Sequence, residues 1–181
     1  MAIQNIPGTP AAPPAAGSFA ILNCSMHHLF QLGVAIVGNS KNVYVDSNVI
    51  TRSVGAAVYT SSTGTRIRKN LAVNSVFPGT HNGNNLRMDT RTPGGFEILG
   101  SGAIVQDNVA GGSERSGFLV SELKCGSAGV TSSGRRFFDG NEAHGTHFNV
   151  RVERGSRDCL QLHGMKSWKA SEYGLLTWTS S

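Results

Sequence analysis

The chain is short of charge, of aromatic residues and of cysteine. Among its 181 residues, 15% are charged, 7% are aromatic and three are cysteine. Helical runs rich in Leu, Glu, Lys and Ala are missing, which argues against a helical protein. No run of about 18 apolar residues exists, so we predict no transmembrane helix and no membrane insertion. A basic segment followed by an apolar one is also missing at the start, so no secretory signal is visible.

The three cysteines exclude a disulfide framework. Cys24, Cys125 and Cys159 cannot all pair within the chain, so one bridge is possible at most. Whether Cys125 and Cys159 pair stays open, and the redox compartment stays open with it.

What the chain does contain is glycine and a mild excess of basic charge. Its 23 glycines show no collagen-like period and indicate many tight turns. A formal net charge of +5 permits contact with acidic polymers or anionic surfaces without requiring it. The prolines at 7, 10, 13 and 14 exclude regular helix or sheet near the start. We therefore expect a Pro/Ala-rich arm or linker at 1–17 and one domain at 18–181.

A pattern of an apolar residue followed three places later by asparagine recurs from Ser18 onward. Its asparagines are 25, 22, 38 and 33 residues apart, which indicates a period near 22 with two insertions. Asparagines at the same point of stacked turns can form a ladder, because each amide supplies donors and an acceptor. Met165 continues the pattern in a sixth turn. We predict five ladder residues: Asn23, Asn48, Asn70, Asn108 and Asn141.

A second apolar run follows each asparagine, and in four turns a glycine opens it. In the third turn the run is either Leu86–Met88 or Phe96–Leu99, and the pattern does not decide between them. Short runs of this kind at a fixed period predict an all-β, right-handed parallel β-helix, a solenoid of about six coils. An antiparallel sandwich would need Asn-Gly hairpin signals, and only Asn82-Gly83 qualifies. The glycine-led runs are Gly33–Val37, Gly55–Tyr59, Gly117–Val120 and Gly174–Trp178.

The stretch NVAGGSERSGF at 108–118, with Cys125 after it, resembles the parallel β-helix repeats of the fibrocystin and fibrocystin-like proteins. It is less closely similar to the repeats of cell-surface hyaluronidases related to transmembrane protein 2. The resemblance extends more diffusely from Ser18 to the C-terminus. It implies a pectin-lyase-like β-helix and an extracellular or cell-surface location.

Carboxylates on the outside of one predicted sheet are the candidates for catalysis. The row two places before each ladder residue is Ile21, Asp46, Arg68, Gln106, Asp139 and His163. In the next row, Asp107 lies one coil from Asp139. Polysaccharide cleavage can use paired carboxyl groups, so Asp107, Asp139 and His163 form the catalytic hypothesis. The alternative is charge pairing between coils on a solvated sheet face.

Charged residues elsewhere in the chain suggest binding of a ligand or partner and not catalysis. Glu114 and Arg115 occupy a turn, where they either bind a ligand or cap the turn. A denser basic set could hold an acidic glycan or an acidic protein partner. Interleaved aromatic residues are scarce, so we do not expect nucleic-acid binding. The basic set is Arg135, Arg136, Arg151, Arg154 and Arg157.

Two further patterns receive a structural interpretation. His27 and His28 are adjacent and should diverge on a strand, and no Cys or carboxylate completes a tetrahedral set, so we predict neither a metal site nor a cofactor. Asn23-Cys24-Ser25 fits the N-glycosylation pattern. Because Asn23 is a predicted ladder residue and should be buried, we do not expect it to be modified.

Two functions remain. The first is a non-enzymatic structural or interaction module of a surface or multi-subunit assembly, with protein partners covering the ends of the solenoid. The second is a β-helix that binds or cleaves glycans through its outward carboxylates.

Overall fold

The structure is a computed structural model that describes residues 18–76, 94–121, 130–132, 134–154 and 161–179. These residues form eighteen strands and no helix, so they contain no helix long and apolar enough to cross a membrane. The predicted arm at 1–17, Cys125 and Cys159 lie outside the described residues.

The strands follow one another three to a coil. Coils 1 to 3 contain β1 (Phe19–Leu22), β2 (Ser25–Leu29), β3 (Val34–Ile36), β4 (Lys41–Asp46), β5 (Val49–Ser53), β6 (Val58–Thr60), β7 (Gly64–Arg68), β8 (Leu71–Val73) and β9 (Gly94–Ile98). Coils 4 to 6 contain β10 (Ile104–Gln106), β11 (Val109–Gly111), β12 (Ser116–Val120), β13 (Phe138–Asp139), β14 (Glu142–His144), β15 (Phe148–Arg154), β16 (Leu162–His163), β17 (Lys166–Trp168) and β18 (Tyr173–Thr179).

Like strands of successive coils pair in parallel and form three six-stranded sheets. The first sheet runs β1-β4-β7-β10-β13-β16, and the second and third sheets contain the second and third strands of each coil. The predicted parallel β-helix of about six coils is therefore confirmed. In the third coil, the second apolar run is the one that begins at Phe96, because Phe96 pairs with Val58 in the coil before and with Phe118 in the coil after. Leu86–Met88 lies outside the described residues.

The core lies between the three sheets, where equivalent apolar residues stack along the solenoid. The rings of Phe96 and Phe118 are stacked, with centroids 4.8 Å apart, and Phe138 meets Phe118 edge-on at 5.5 Å. All three are fully buried. Burial of each such side chain contributes about 1.5–3 kcal/mol, so this stack is a main source of stability in coils 3 to 5.

The corner between the first and second sheets is made by one residue in the left-handed region. The φ angles in this row lie between 54° and 66°. Two of its six members are glycine, and the others accept a conformation that disfavours most side chains by about 1–2 kcal/mol. A single such residue turns the chain sharply enough for two strands to follow each other almost directly. The row is Asn23, Ser47, Lys69, Asp107, Gly140 and Gly164.

The position of Asn23 corrects the sequence prediction for coil 1. Leu22, and not Ile21, pairs with Asp46, so Asn23 lies beside Ser47 at the corner. Cys24 holds the ladder position, where its backbone N–H donates to Asn48 Oδ1 at 2.9 Å. The frame was misassigned because Asn23 lies three places after the apolar Ala20 and so matches the pattern, whereas the actual ladder position, three places after Ile21, is a cysteine. Asn23 is exposed and is not a ladder residue.

Candidate functional site

Four asparagines form a continuous ladder under the corner between the first two sheets. Asn48 Nδ2 donates to Asn70 Oδ1 at 2.9 Å, and the same bond links Asn70 to Asn108 and Asn108 to Asn141 at 3.0 Å. Each accepting oxygen also accepts the backbone N–H of the preceding asparagine. Each Nδ2 also donates to a carbonyl of the preceding coil. These buried amides are therefore held in structural bonds.

The outer face of the first sheet brings the predicted carboxylates together near the corner. Gln106, Asp139 and His163 are paired neighbours in β10, β13 and β16. Asp107 is the corner residue after β10 and lies beside the corner of the next coil, Gly140. A side chain at Gly140 would place its Cβ 2.5 Å from Asp107 Oδ1 and 3.1 Å from an Arg135 nitrogen. The glycine therefore leaves room for a close contact between Asp107 and Arg135.

Arg135 is the residue that joins the two carboxylates. The segment before β13 folds back on itself, with Val130 bridged to Arg136 and the Thr131 N–H donating to the Arg135 carbonyl at 2.8 Å. From there the Arg135 guanidinium donates to both oxygens of Asp107, at 2.7 and 2.8 Å. Its Nε donates to Asp139 Oδ2 at 2.8 Å. One guanidinium thus pairs with both candidate catalytic acids.

His163 completes this cluster from the next coil. Its Nδ1 lies 2.8 Å from Asp139 Oδ1, so both oxygens of Asp139 have partners. The Asp139 side chain is 12% exposed and the His163 side chain is 66% exposed. Burial opposes ionisation of Asp139, but the hydrogen bonds with His163 and Arg135 outweigh it, so the pKa of Asp139 lies below its ordinary value. The hydrogen bond with Asp107 raises the pKa of Arg135 above its ordinary value.

These charges favour a structural role for the cluster. A general acid needs a carboxyl group whose pKa is raised towards the working pH. Asp139 shows the opposite shift, and Asp107 is held on both oxygens by a permanent cation. The hydrogen bonds of Arg135 with Asp107 and Asp139 therefore attach the segment around Arg135 to the outer face of the first sheet. Gln106 adds to this attachment, because its Nε2 donates to the Arg136 carbonyl at 2.9 Å.

A second pair of the same kind lies at an earlier position on the same sheet. Arg68 donates to Asp46 Oδ2 at 2.9 Å, and Ser47 Oγ donates to Asp46 Oδ1 at 2.8 Å. Charge pairing between neighbouring coils therefore recurs along this sheet face.

The remaining predicted contact residues are distributed over different faces. Glu114 and Arg115 are exposed in the turn between β11 and β12, and their backbone groups bond to Ser75 and Phe148. Arg151 is in the third sheet and pairs with Glu153 at 2.8 Å. Arg154 lies in β15, where its backbone pairs with Thr179, and Arg157 lies outside the described residues. Arg135 and Arg151 therefore belong to different faces and not to one basic surface.

The histidines do not assemble a metal site in the described part of the chain. No group of three or more His, Cys, Asp or Glu side chains there is placed to hold an ion. The expected divergence of His27 and His28 is wrong, because His28 has a φ of 55° and the two Nδ1 atoms lie 3.0 Å apart. Arg52 donates to His28 Nε2 at 2.7 Å. His144 stacks on Trp168 with ring centroids 4.1 Å apart.

Comparison with known proteins finds similarity to Fibrocystin-L proteins of two mammals. Over 161 residues, which is 88% of this chain, it is 29% identical to "Fibrocystin-L" of Homo sapiens. It is 29% identical over 157 residues, 86% of the chain, to "Fibrocystin-L" of Mus musculus. The chain resembles the fibrocystin-like proteins.

The resemblance concerns a small part of each fibrocystin-like relative. The chain spans about 4% of the length of the two Fibrocystin-L proteins. No protein-family model matches the chain, and no solved structure matches it significantly. The fibrocystin-like similarity covers most of the chain, so it applies to the solenoid as a whole and not to a single motif.

Sequence reasoning missed two features of this solenoid. From the sequence we predict Arg135 as a contact for an acidic glycan or an acidic partner, although its spacing of four residues from Asp139 also fits a local ion pair. The stacking of the aromatic side chains of coil 6 on coil 5 was not predicted. The signal for these is positional, because His144 precedes Trp168, and Phe148 precedes Tyr173, by 24 and 25 residues, one coil each.

Proposed function

We propose that this chain is a non-enzymatic solenoid module of an extracellular or cell-surface assembly, and that it binds protein partners through its two ends. The observation that carries the proposal is where the large apolar side chains are exposed. Among the described residues, seven of the eight lie in the first or last coil. In coil 1 these are Phe19, Leu22, Phe30 and Val37, and in coil 6 they are Trp168, Tyr173 and Leu175.

Coil 1 offers an open apolar rim to a partner. Phe30 is 91% exposed and Phe19 is 62% exposed. A depression of about 260 Å³ is lined by Phe19, Ile21, Val34 and Ile36, among other residues of coils 1 and 2. The strands β1, β2 and β3 each end their sheet, so each has one edge without a neighbouring strand among the described residues. Such edges pair readily with other chains unless they are covered.

Coil 6 offers ordered aromatic faces at the opposite end. Trp168 stacks on His144, and its indole nitrogen donates to Glu142 Oε1 at 3.1 Å. Tyr173 stacks on Phe148 with a centroid separation of 6.0 Å. One ring face of each residue is thus packed on coil 5, while Trp168 and Tyr173 remain 43% and 54% exposed. Rigid, half-exposed Trp and Tyr side chains are typical anchors of protein interfaces.

The test is the size of the native assembly in variants of each end. Phe19→Ser with Phe30→Ser removes apolar surface from coil 1, and Tyr173→Ser with Leu175→Ser removes it from coil 6. Val49→Ser is the matched control, because Val49 is 39% exposed in coil 2. Light scattering after size exclusion, with circular dichroism to check folding, should show loss of a partner only in the end variants. A monomeric native protein, or end variants that retain every partner, would contradict the proposal.

The glycan hypothesis is the second candidate, and one observation favours it. Asp107, Asp139 and His163 do converge, together with a cation. The pairing of both acids with Arg135 supports attachment of the loop over cleavage of a substrate. Incubation with hyaluronan, pectin or alginate, followed by product sizing, tests it directly. Cleavage that disappears in Asp139→Asn would favour this second function, and we expect no cleavage by the native chain.

A further inference from the structure

Asn23 lies in the one N-glycosylation pattern of the sequence, Asn23-Cys24-Ser25. None of the chain's other asparagines, twelve in number, is followed two places later by Ser or Thr. All three residues of the pattern are exposed. The structure therefore removes the reason for doubting modification, which was the expected burial of Asn23 in the ladder.

The side chain of Asn23 is available, unlike those of the ladder. Its described hydrogen bond is through the backbone, where the Asn23 N–H donates to the Asp46 carbonyl at 3.2 Å. Its amide has no partner among the described residues. By contrast, the oxygens of Asn70, Asn108 and Asn141 each accept two hydrogen bonds inside the solenoid. A glycan on Asn23 would displace none of these bonds.

The local backbone holds Asn23 at an outer corner of the end coil. Its φ of 54° is close to the φ of 66° and 59° at Gly140 and Gly164, which occupy the same corner in coils 5 and 6. The next residue is anchored, because the Cys24 N–H donates to Asn48 Oδ1. β1 and β2, on either side of the corner, are the end strands of their sheets. Asn23 is exposed at this corner, so a group attached to its side chain displaces none of the described residues.

We propose that Asn23 carries an N-linked glycan. Asn23 Nδ2 forms a bond to the anomeric carbon of an oligosaccharide on a lipid diphosphate donor. The bond from that carbon to the diphosphate oxygen breaks, the lipid diphosphate leaves with the electron pair, and Nδ2 loses one proton. The Ser25 hydroxyl is the part of the pattern that the transfer requires. This inference rests on the extracellular location in the proposed function. A glycan at Asn23 would be a covalent modification that reports this location.

The experiment is secretion of the full chain, fused to a cleavable signal peptide, from a eukaryotic cell line. Intact mass is measured before and after treatment with peptide N-glycosidase F, and peptide mapping locates any asparagine converted to aspartate. We expect loss of a glycan mass and aspartate at position 23. Ser25→Ala should abolish the mass loss, and Ser25→Thr should retain it. Both substitutions leave Asn23 at the corner unchanged.

A positive control uses the exposed turn that follows coil 1. Lys41→Thr, in the Ser25→Ala background, creates a new N-glycosylation pattern that begins at Asn39, which is exposed. A glycan at Asn39 in this variant, with none at Asn23 in the native chain, overturns the proposal.

Peptide mapping of the native protein gives an independent decision. An unmodified Asn23 on protein recovered from the cell surface also overturns the proposal. Recovery from the cytosol alone contradicts the proposed extracellular function instead, and the secretion result then decides whether the site accepts a glycan.

Discussion

Asn70 donates a side-chain hydrogen bond to Asn108 Oδ1 across 3.0 Å, although 38 residues separate the two asparagines in the chain. The insertion between them does not disturb the register, because Leu71 pairs with Val109 and Ala72 with Ala110. The ladder therefore fixes the stacking of coils 3 and 4 at the point where the chain between them is longest.

Replacing Asn108 should destabilise the solenoid strongly. Asn108→Ala leaves the Asn70 N–H and one Asn70 Nδ2 hydrogen buried without their acceptor. Unsatisfied buried donors disfavour folding by about 1–3 kcal/mol each, so we expect a loss of about 3 kcal/mol. Urea unfolding followed by circular dichroism measures this change.

Asn23→Gly is the matched control for the ladder. Asn23 is exposed at a corner where coils 5 and 6 carry glycine, so its replacement should change the free energy of unfolding by less than about 0.5 kcal/mol. Equal losses in the two variants would show that the ladder bonds do not carry the stability.

Arg135 should matter for folding more than for binding. Arg135→Gln leaves Asp107 and Asp139 without their shared cation, and we expect a loss of about 1–2 kcal/mol because hydrogen bonds to charged groups are among the stronger ones. Arg66→Gln is the control, since Arg66 is exposed and lies over the Tyr44 ring at 5.2 Å. Urea unfolding of the two variants should separate them, and equal stability would contradict the structural role of Arg135.

The lowered pKa of Asp139 leads us to expect that the free energy of unfolding depends on pH. Its folded pKa is lowered, so its ionised form stabilises the folded state above the unfolded value of about 3.9. That contribution is lost as the pH falls through the lower, folded pKa. The free energy of unfolding of the native chain should therefore exceed that of Asp139→Asn at pH 6, and the gap should narrow towards pH 2. A gap that stays constant over this range would contradict the assigned interaction with Arg135 and His163.

Gly117 should tolerate no side chain, although it lies in a regular strand. A Cβ at this position would lie 2.7 Å from Ala143 Cβ and 2.7 Å from the Asn149 carbonyl oxygen. Overpacking of this kind disfavours folding by about 1–3 kcal/mol, so Gly117→Ala should lower the thermal midpoint measurably. At Gly38 the corresponding space is open, but the φ of 71° adds strain, so Gly38→Asn is the suitable control. Equal thermal midpoints for the two variants would contradict the close packing at Gly117.

The sequence predicts most of the fold because the repeat specifies the same contacts once per coil. Asn48, Asn70, Asn108 and Asn141 recur in one frame, and the apolar residues three places earlier, Val45 among them, stack in the core. The frame failed at coil 1, where Cys24 holds the ladder position and Asn23, one place earlier, satisfies the pattern with Ala20. Among the described residues, coil 1 has a neighbouring coil on one side only, so fewer described contacts constrain which residue occupies each position.

The candidate site was only partly predictable. The shared row of Gln106, Asp139 and His163 follows from the period, and the proximity of Asp107 follows from the corner. Arg135 lies in an insertion outside the repeat, so no period places it. Its ion pairs with Asp107 and Asp139 favour a structural role for this site, because both carboxylates then hold the segment around Arg135 against the sheet.

Cross-linking mass spectrometry of the native protein tests the central claim, that partners bind at the ends, most directly. Lys166 and Lys169 are exposed on coil 6, Lys41 is exposed next to coil 1, and Lys69 is exposed in the middle of the solenoid. With an amine-reactive reagent, we expect links to other proteins from Lys41, Lys166 and Lys169 and few from Lys69. Links to other proteins concentrated at Lys69, or links within this chain alone, would contradict the account.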